Sequence, residues 1–233
     1  CAQYYSKLSK SSETTLEQIY HELASEHEQE AIEKIVEFGR QLVSQGHLEL
    51  LSLIESVNVD RLQSSLMAPM LQLQGDILLM LGRFEQASSI FETASHAAKD
   101  ANLPVIYAEI LGSQADIAMK QGQTDNALAA HKEALEVQVE LGDAKGAART
   151  YNNMGYLYRR KNDRGKALEA YSEVEAIINS DETLLSAQII LGRALLDLGE
   201  VERARKHAFE AFERTDRAVS YTHLRAHETA YYR

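Results

Sequence analysis

Apolar residues recur every three or four positions through four long runs: Leu71 to Leu81, Val105 to Gln121, Thr150 to Lys161 and Leu185 to Leu198. That interval is the signature of amphipathic helix. Each run stops at Gly82, Gly122, Asn162 or Gly199, the residue types that take up the left-handed backbone ending a helix. The single departure from glycine is asparagine, the next most tolerant residue there. A second apolar-periodic stretch follows each stop, at Phe84 to Lys99, Thr124 to Glu140, Gly165 to Ile178 and Val201 to Glu213. The pattern predicts four helix pairs. Pro69 and Pro104 are expected in or near the first turn of a first helix, where a missing N–H costs little.

The pairs share a register. Gly75, Ala115, Gly155 and Gly192 stand 40, 40 and 37 residues apart. Twelve residues after each comes Ala87, Ala127, Ala167 or Ala204, and nineteen after comes Ala94, Ala134, Val174 or Ala211. Small residues at these marks let two antiparallel helices approach closely. Sixteen positions on stand Phe91, His131, Tyr171 and Ala208, expected to fill the adjoining gap. Repeats of this length that each bury their apolar face against a neighbour are the mark of a solenoid.

This is the tetratricopeptide pattern. The strings G-D-I-L-L-M-L-G-R-F-E-Q-A-S-S-I-F-E-T-A (75–94) and Y-N-N-M-G-Y-L-Y-R-R-K-N-D-R-G-K-A-L-E-A-Y (151–171) resemble that family over about residues 66–215. The departures are the forty-residue period, which implies helices about a turn longer than usual, and Leu71, Leu111 and Gln188 where the family carries an aromatic. HEAT-type repeats are the alternative, but they leave the glycine and alanine register unexplained. The resemblance implies an all-α fold, an α-solenoid of antiparallel helix hairpins wound as a right-handed superhelix.

The expected organisation is a helical linker with a degenerate repeat over 1–65, then four repeats over about 66–102, 103–144, 145–180 and 181–218. In the linker, Gly39 and Gly46 repeat the seven-residue spacing. The segment with Tyr20-His21-x-Leu23, Ala31, Gly39, Leu42-Val43, Gly46 and Leu50-Leu51 resembles the linker helices leading into the tetratricopeptide sensor of STAND-class, MalT-like signalling ATPases. Residues 219–229, V-S-Y-T-H-L-R-A-H-E-T, resemble a translated sequencing adaptor, so 219–233 is expected to be a non-native tail, which sets aside His223 and His227 as a metal pair.

Composition narrows the chemistry. The 233 residues include one cysteine, Cys1, so no disulfide framework is possible within the chain and a reducing, cytoplasmic compartment is expected. No apolar run approaches the ~20 residues of a membrane span. There is no H-E-x-x-H, no paired-cysteine zinc spacing, no G-x-S-x-G and no phosphate-binding G-x-x-x-x-G-K-[ST], so neither an enzyme nor a cofactor site is expected. His131 stands in the slot of Phe91 and Tyr171 and is expected in the core. The net charge of −11 argues against nucleic acid.

What remains is surface. The resemblance places the first helices along a concave groove, with Gln72, Asp76, Leu79 and Met80 in the first copy, then Asp116, Met119 and Lys120, then Arg149, Asn152, Asn153, Tyr156, Arg159 and Arg160, then Arg193. It maps the family's ligand-gripping asparagine onto Asn153, while the lysine and asparagine set of chaperone-tail clamps is not reproduced. Charge is uneven: residues 1–110 carry −9, residues 111–144 carry −4 and residues 145–218 carry +1. The basic string from Arg159 to Lys166, joined by Arg193, Arg203, Arg205 and Lys206, is either a solvated, dipole-complementing turn or an anion-recognising groove for an acidic or carboxylate-bearing peptide. The expected function is a protein- or peptide-binding segment, sensor or scaffold, of a larger signalling protein. The alternatives are a stand-alone peptide-sensing transcriptional regulator and the accessory arm of an enzyme.

Overall fold

The computed structural model describes residues 12–25, 27–180 and 185–213. Every regular element among them is helical. In chain order they are α1 (Ser12–Leu23), α2 (Glu28–Ser44), α3 (Leu50–Ser56), a 3-10 turn (Val59–Arg61), α4 (Ser64–Met80), α5 (Phe84–Asp100), α6 (Pro104–Lys120), α7 (Thr124–Glu140), α8 (Ala144–Arg160), α9 (Arg164–Ser180), α10 (Leu185–Asp197) and α11 (201–213). The adaptor-like tail, Cys1 and the ends of the fourth expected repeat lie outside the described residues. The chain divides into two compact units at Gln123. The first holds α1–α6 and the second α7–α11.

The forty-residue period has a simple origin. Helices α4 to α9 are each 17 residues long and three residues separate each from the next, so one helix plus one turn takes twenty residues. Each turn closes the same way. Gly82 (φ 72°), Asn102 (φ 51°), Gly122 (φ 75°), Gly142 (φ 67°) and Asn162 (φ 58°) stand twenty apart in the left-handed region. The Gly82 N–H donates to the Leu79 carbonyl at 3.1 Å and the Arg83 N–H to Leu78 at 2.9 Å, the paired bonds of a Schellman motif. The same pair recurs at Asn102/Leu103, Gly122/Gln123, Gly142/Asp143, Asn162/Asp163, Gly199/Glu200 and Gly46/His47. Asn102 and Gly142, which end the second helices, complete the series that the pattern at Gly82, Gly122 and Asn162 begins.

Two boundaries differ from expectation. Helix α4 starts at Ser64, so Pro69 lies inside it rather than in its first turn; the ladder bond to the Ser65 carbonyl is lost there. Pro104 does stand at the first position of α6. Helix α8 begins at Ala144, six residues before the apolar period becomes visible at Thr150, because its opening turns are small residues and Lys145. The Asp143 side chain accepts the Gly146 N–H at 2.9 Å and fixes that start.

In the first unit α4 packs on α5, α5 on α6, and the first helices α2, α4 and α6 lie side by side. Phe91 is fully buried and its ring occupies the space over Gly75, where an added Cβ would stand 2.5 Å from Cε1. Gly39 receives Leu73 in the same manner, at 2.2 Å from Cδ2. In the second unit α8 packs on α9, and Leu191 and Leu195 of α10, with Leu198 just after it, close the core formed by Ala148, Ala167, Tyr171, Val174 and Ile178. Each fully buried leucine contributes about 1.5–3 kcal/mol.

Candidate functional site

In the first unit the face shared by α2, α4 and α6 is acidic and cross-linked. The Arg40 guanidinium pairs with Glu109 at 2.5 Å and donates to the Gln72 carbonyl oxygen at 2.8 Å. The Gln72 amide in turn donates to Glu109 at 3.0 Å. Asp76 lies beside this bridge and accepts the Ser113 hydroxyl at 3.1 Å. Burial pushes the Asp76 carboxyl up to about 6; the Ser113 bond and Arg40 oppose this, and repulsion from Glu109 and Asp116 adds to it. Of the expected groove residues here, Asp76 and Asp116 belong to this cluster, Met80 is 60% exposed, and the Lys120 ammonium sits 5.9 Å from the Phe84 ring centroid. Arg40, Glu109 and Ser113 did not emerge from the sequence. Arg40 had a signal, since it follows Gly39 as Asp76 follows Gly75.

In the second unit Arg149, Asn153, Tyr156 and Arg160 fall at i, i+4, i+7 and i+11 and form one stripe along α8. Arg149 and Arg160 are exposed, Asn153 is half-buried and Tyr156 is 39% exposed. The guanidiniums of Arg159 and Arg160 lie 5.4 and 6.0 Å from the Tyr156 ring centroid, so the ring is flanked by two cations. Arg193 is exposed on α10. Asn152 stands off the stripe: it is 7% exposed, and its Oδ1 finds no hydrogen-bond partner.

The basic string resolves into ion pairs. Arg159 pairs with Asp197, Lys161 with Asp125 at 2.5 Å, Arg164 with Glu200 at 2.6 Å and Lys166 with Asp163 at 3.1 Å. Three of the four join residues 36 or 38 positions apart and so tie one repeat to the next. Among the described residues, Arg149, Arg160 and Arg193 have no carboxylate within ion-pair distance. Arg149 also acts on His131, which is 3% exposed in α7: burial first, then Arg149, pushes its imidazole down to about 4, so it stays neutral in the core. Among the described residues no group of histidine, cysteine or carboxylate side chains is arranged to hold a metal ion, and no helix is long and apolar enough to cross a membrane.

Hairpins capped in this way, with a small-residue register between their helices, define an α-solenoid of antiparallel helix pairs. Residues 107–180 match the tetratricopeptide repeat family, a class of repeat that serves as a protein-interaction scaffold. No curated protein matches the chain in sequence. Among solved structures, BtubC (BKLC) from P. vanneervenii is similar in fold, with TM-score 0.61, 20% identity and coverage of 94% of this chain and 91% of that one. MamA is similar with TM-score 0.52, 17% identity and coverage of 78% and 97%. A Pyrococcus horikoshii STAND protein with a tetratricopeptide repeat sensor is similar with TM-score 0.67 and 13% identity; the likeness covers 85% of this chain and 31% of that one. At these identities the likeness is one of fold.

Proposed function

We propose that the chain is the peptide-binding tetratricopeptide segment of a larger cytoplasmic signalling protein, and that it grips an acidic or carboxylate-bearing stretch of a protein partner on the α8 and α10 faces. One observation carries the reading: Arg149, Arg160 and Arg193 keep free guanidiniums while the neighbouring cations are tied to carboxylates. A guanidinium binds a carboxylate through two parallel hydrogen bonds, stronger than neutral ones. Asn153 and Tyr156 complete the stripe. The acidic face of the first unit, with Asp76 and Asp116, offers an anionic ligand no such site. The sensor role is supported by the fold likeness to the STAND protein, and the four-repeat organisation after a linker over 1–65 by the twenty-residue spacing of the left-handed turns.

The test is calorimetric titration of the full chain with two peptides identical except that one is acidic with a free C-terminus and the other is amidated with its carboxylates replaced by amides. The acidic peptide should bind, weaken with salt, and lose about tenfold in affinity when Arg160 or Arg193 becomes alanine, which is about 1.4 kcal/mol. Equal affinity for both peptides, or indifference to both substitutions, overturns the reading.

A further inference from the structure

Three of the four repeats carry a large residue sixteen positions after the first mark, Phe91, His131 and Tyr171, and the fourth carries Ala208. Where the structure shows Phe91 over Gly75 and Tyr171 over Gly155, the ring fills the space a Cβ would claim, at 2.5 and 2.4 Å. The fourth repeat keeps the glycine and lacks the ring. Around Gly192 the nearest atoms to an added Cβ are the Ala204 carbonyl oxygen and the His207 Cβ, both at 3.5 Å. Gly192 and Ala208 instead line an open groove of about 650 Å³, walled by Ile189, Leu196, Val201 and Phe212 and bordered by Arg193 and Arg205. These four are 55%, 56%, 55% and 69% exposed. The groove repeats, one hairpin further on, the surface against which α10 rests on α8 and α9.

We propose that this groove is a self-association site, in which two copies of the chain pair and each places its Phe212 ring in the socket over the other's Ala208. In two of the sister repeats an aromatic ring fills the equivalent place. The same hairpin supplies the rings: Phe212 stands at the rim and Phe209, one turn away, is 61% exposed. A surface that carries both its own knob and its own hole meets the requirement of a two-fold contact, in which the same patch serves both partners. With Phe209 added, five large apolar side chains stand more than half in water. At roughly 100 Å² apiece they bring the pair to about the 1,000 Å² that a specific interface needs. Apolar patches of this extent mark interaction sites.

The experiment is sedimentation equilibrium of the full chain across the micromolar range, with Phe212→Ser and Ala208→Phe alongside and circular dichroism to confirm that each is folded. The unsubstituted chain should sediment as a dimer in equilibrium with monomer. Phe212→Ser removes the knob and should be monomeric. Ala208→Phe gives each copy its own ring over Gly192, as in the sister repeats, and should also be monomeric. A chain that is monomeric throughout overturns the proposal, as does a dimer that survives either substitution in a folded variant. Should Ala208→Phe fail to fold, Phe212→Ser alone decides, since an exposed residue leaves the core intact.

Discussion

The ring of Tyr171 lies on the backbone of Gly155: a Cβ at residue 155 would stand 2.4 Å from Cε1 and 2.7 Å from Cζ. No rotation of a flexible side-chain end relieves such a contact, because the ring is buried and held by Val174, Leu191 and Leu195 around it. The glycine and the aromatic sixteen residues later are therefore one unit of packing, and Gly75 with Phe91 repeats it in the first unit.

Gly155→Ala should accordingly overpack the α8–α9 crossing. Overpacking costs about 1–3 kcal/mol and the gain in helix propensity returns at most about 1 kcal/mol, so a net loss is expected. Gly192→Ala meets only ordinary contacts at 3.5 Å and should be neutral or stabilising by up to about 1 kcal/mol. Urea melts of the two variants check the pair; equal effects would mean the ring does not enforce the glycine.

The hairpins were legible in the sequence because their determinants are local: apolar spacing of three and four, a left-handed residue at each first-helix end, and small residues where helices cross. The start of α8 was not, since Ala144, Ala147 and Ala148 carry no amphipathic contrast. The basic string from Arg159 to Lys166 was legible as charge and not as structure. Its partners Asp125, Asp197 and Glu200 lie about a repeat away, and only the stacking of helices brings them within reach. The bridge from Arg40 through Gln72 to Glu109 was hidden for the same reason, spanning 69 residues of sequence.

The second-helix turns make their own prediction. Gly142 has φ 67° and nothing within 4 Å of an added Cβ, so only its backbone conformation constrains it. Gly142→Ala should cost about 1–2 kcal/mol, the left-handed penalty of an L-residue. Gly142→Asn should cost much less, because Asn102 and Asn162 already occupy that conformation. Thermal melts showing equal losses for alanine and asparagine would refute this.

Asp76 should make the first unit sensitive to pH. Its carboxyl is raised to about 6 in the fold by burial, above the usual value of ~3.9. The native state then holds the proton more tightly than the unfolded chain. The stabilisation is complete below about pH 4 and is lost as pH rises through about 6. Asp76→Asn removes the titration and should be more stable than the parent at pH 7.5 by about 2–3 kcal/mol, with the difference vanishing at pH 4. A difference that stays constant across that range would place the effect in packing instead of charge.

His131 produces the opposite slope, and so the parent's pH profile alone isolates neither group. Burial and the nearby Arg149 lower its imidazole to about 4, whereas an unfolded histidine titrates near ~6.5. Between those values the unfolded chain binds the proton and the native state does not, so stability is full above about pH 6.5 and falls as pH drops toward about 4. The loss should reach about 2–3 kcal/mol at the acid end, since a tenfold difference in proton affinity between the two states is worth about 1.4 kcal/mol. Its Nδ1 already lacks a partner in the neutral form, and a charged ring there would gain no carboxylate to offset desolvation. His131→Tyr places in this slot the residue type that Tyr171 supplies in the next repeat. Denaturant melts of that variant and the parent at pH 7, 6, 5 and 4.5 measure the difference directly. The parent should lose stability relative to His131→Tyr at each step down. A gap that does not widen with acid would mean the imidazole is protonated inside the fold, and the neutral core histidine would be ruled out.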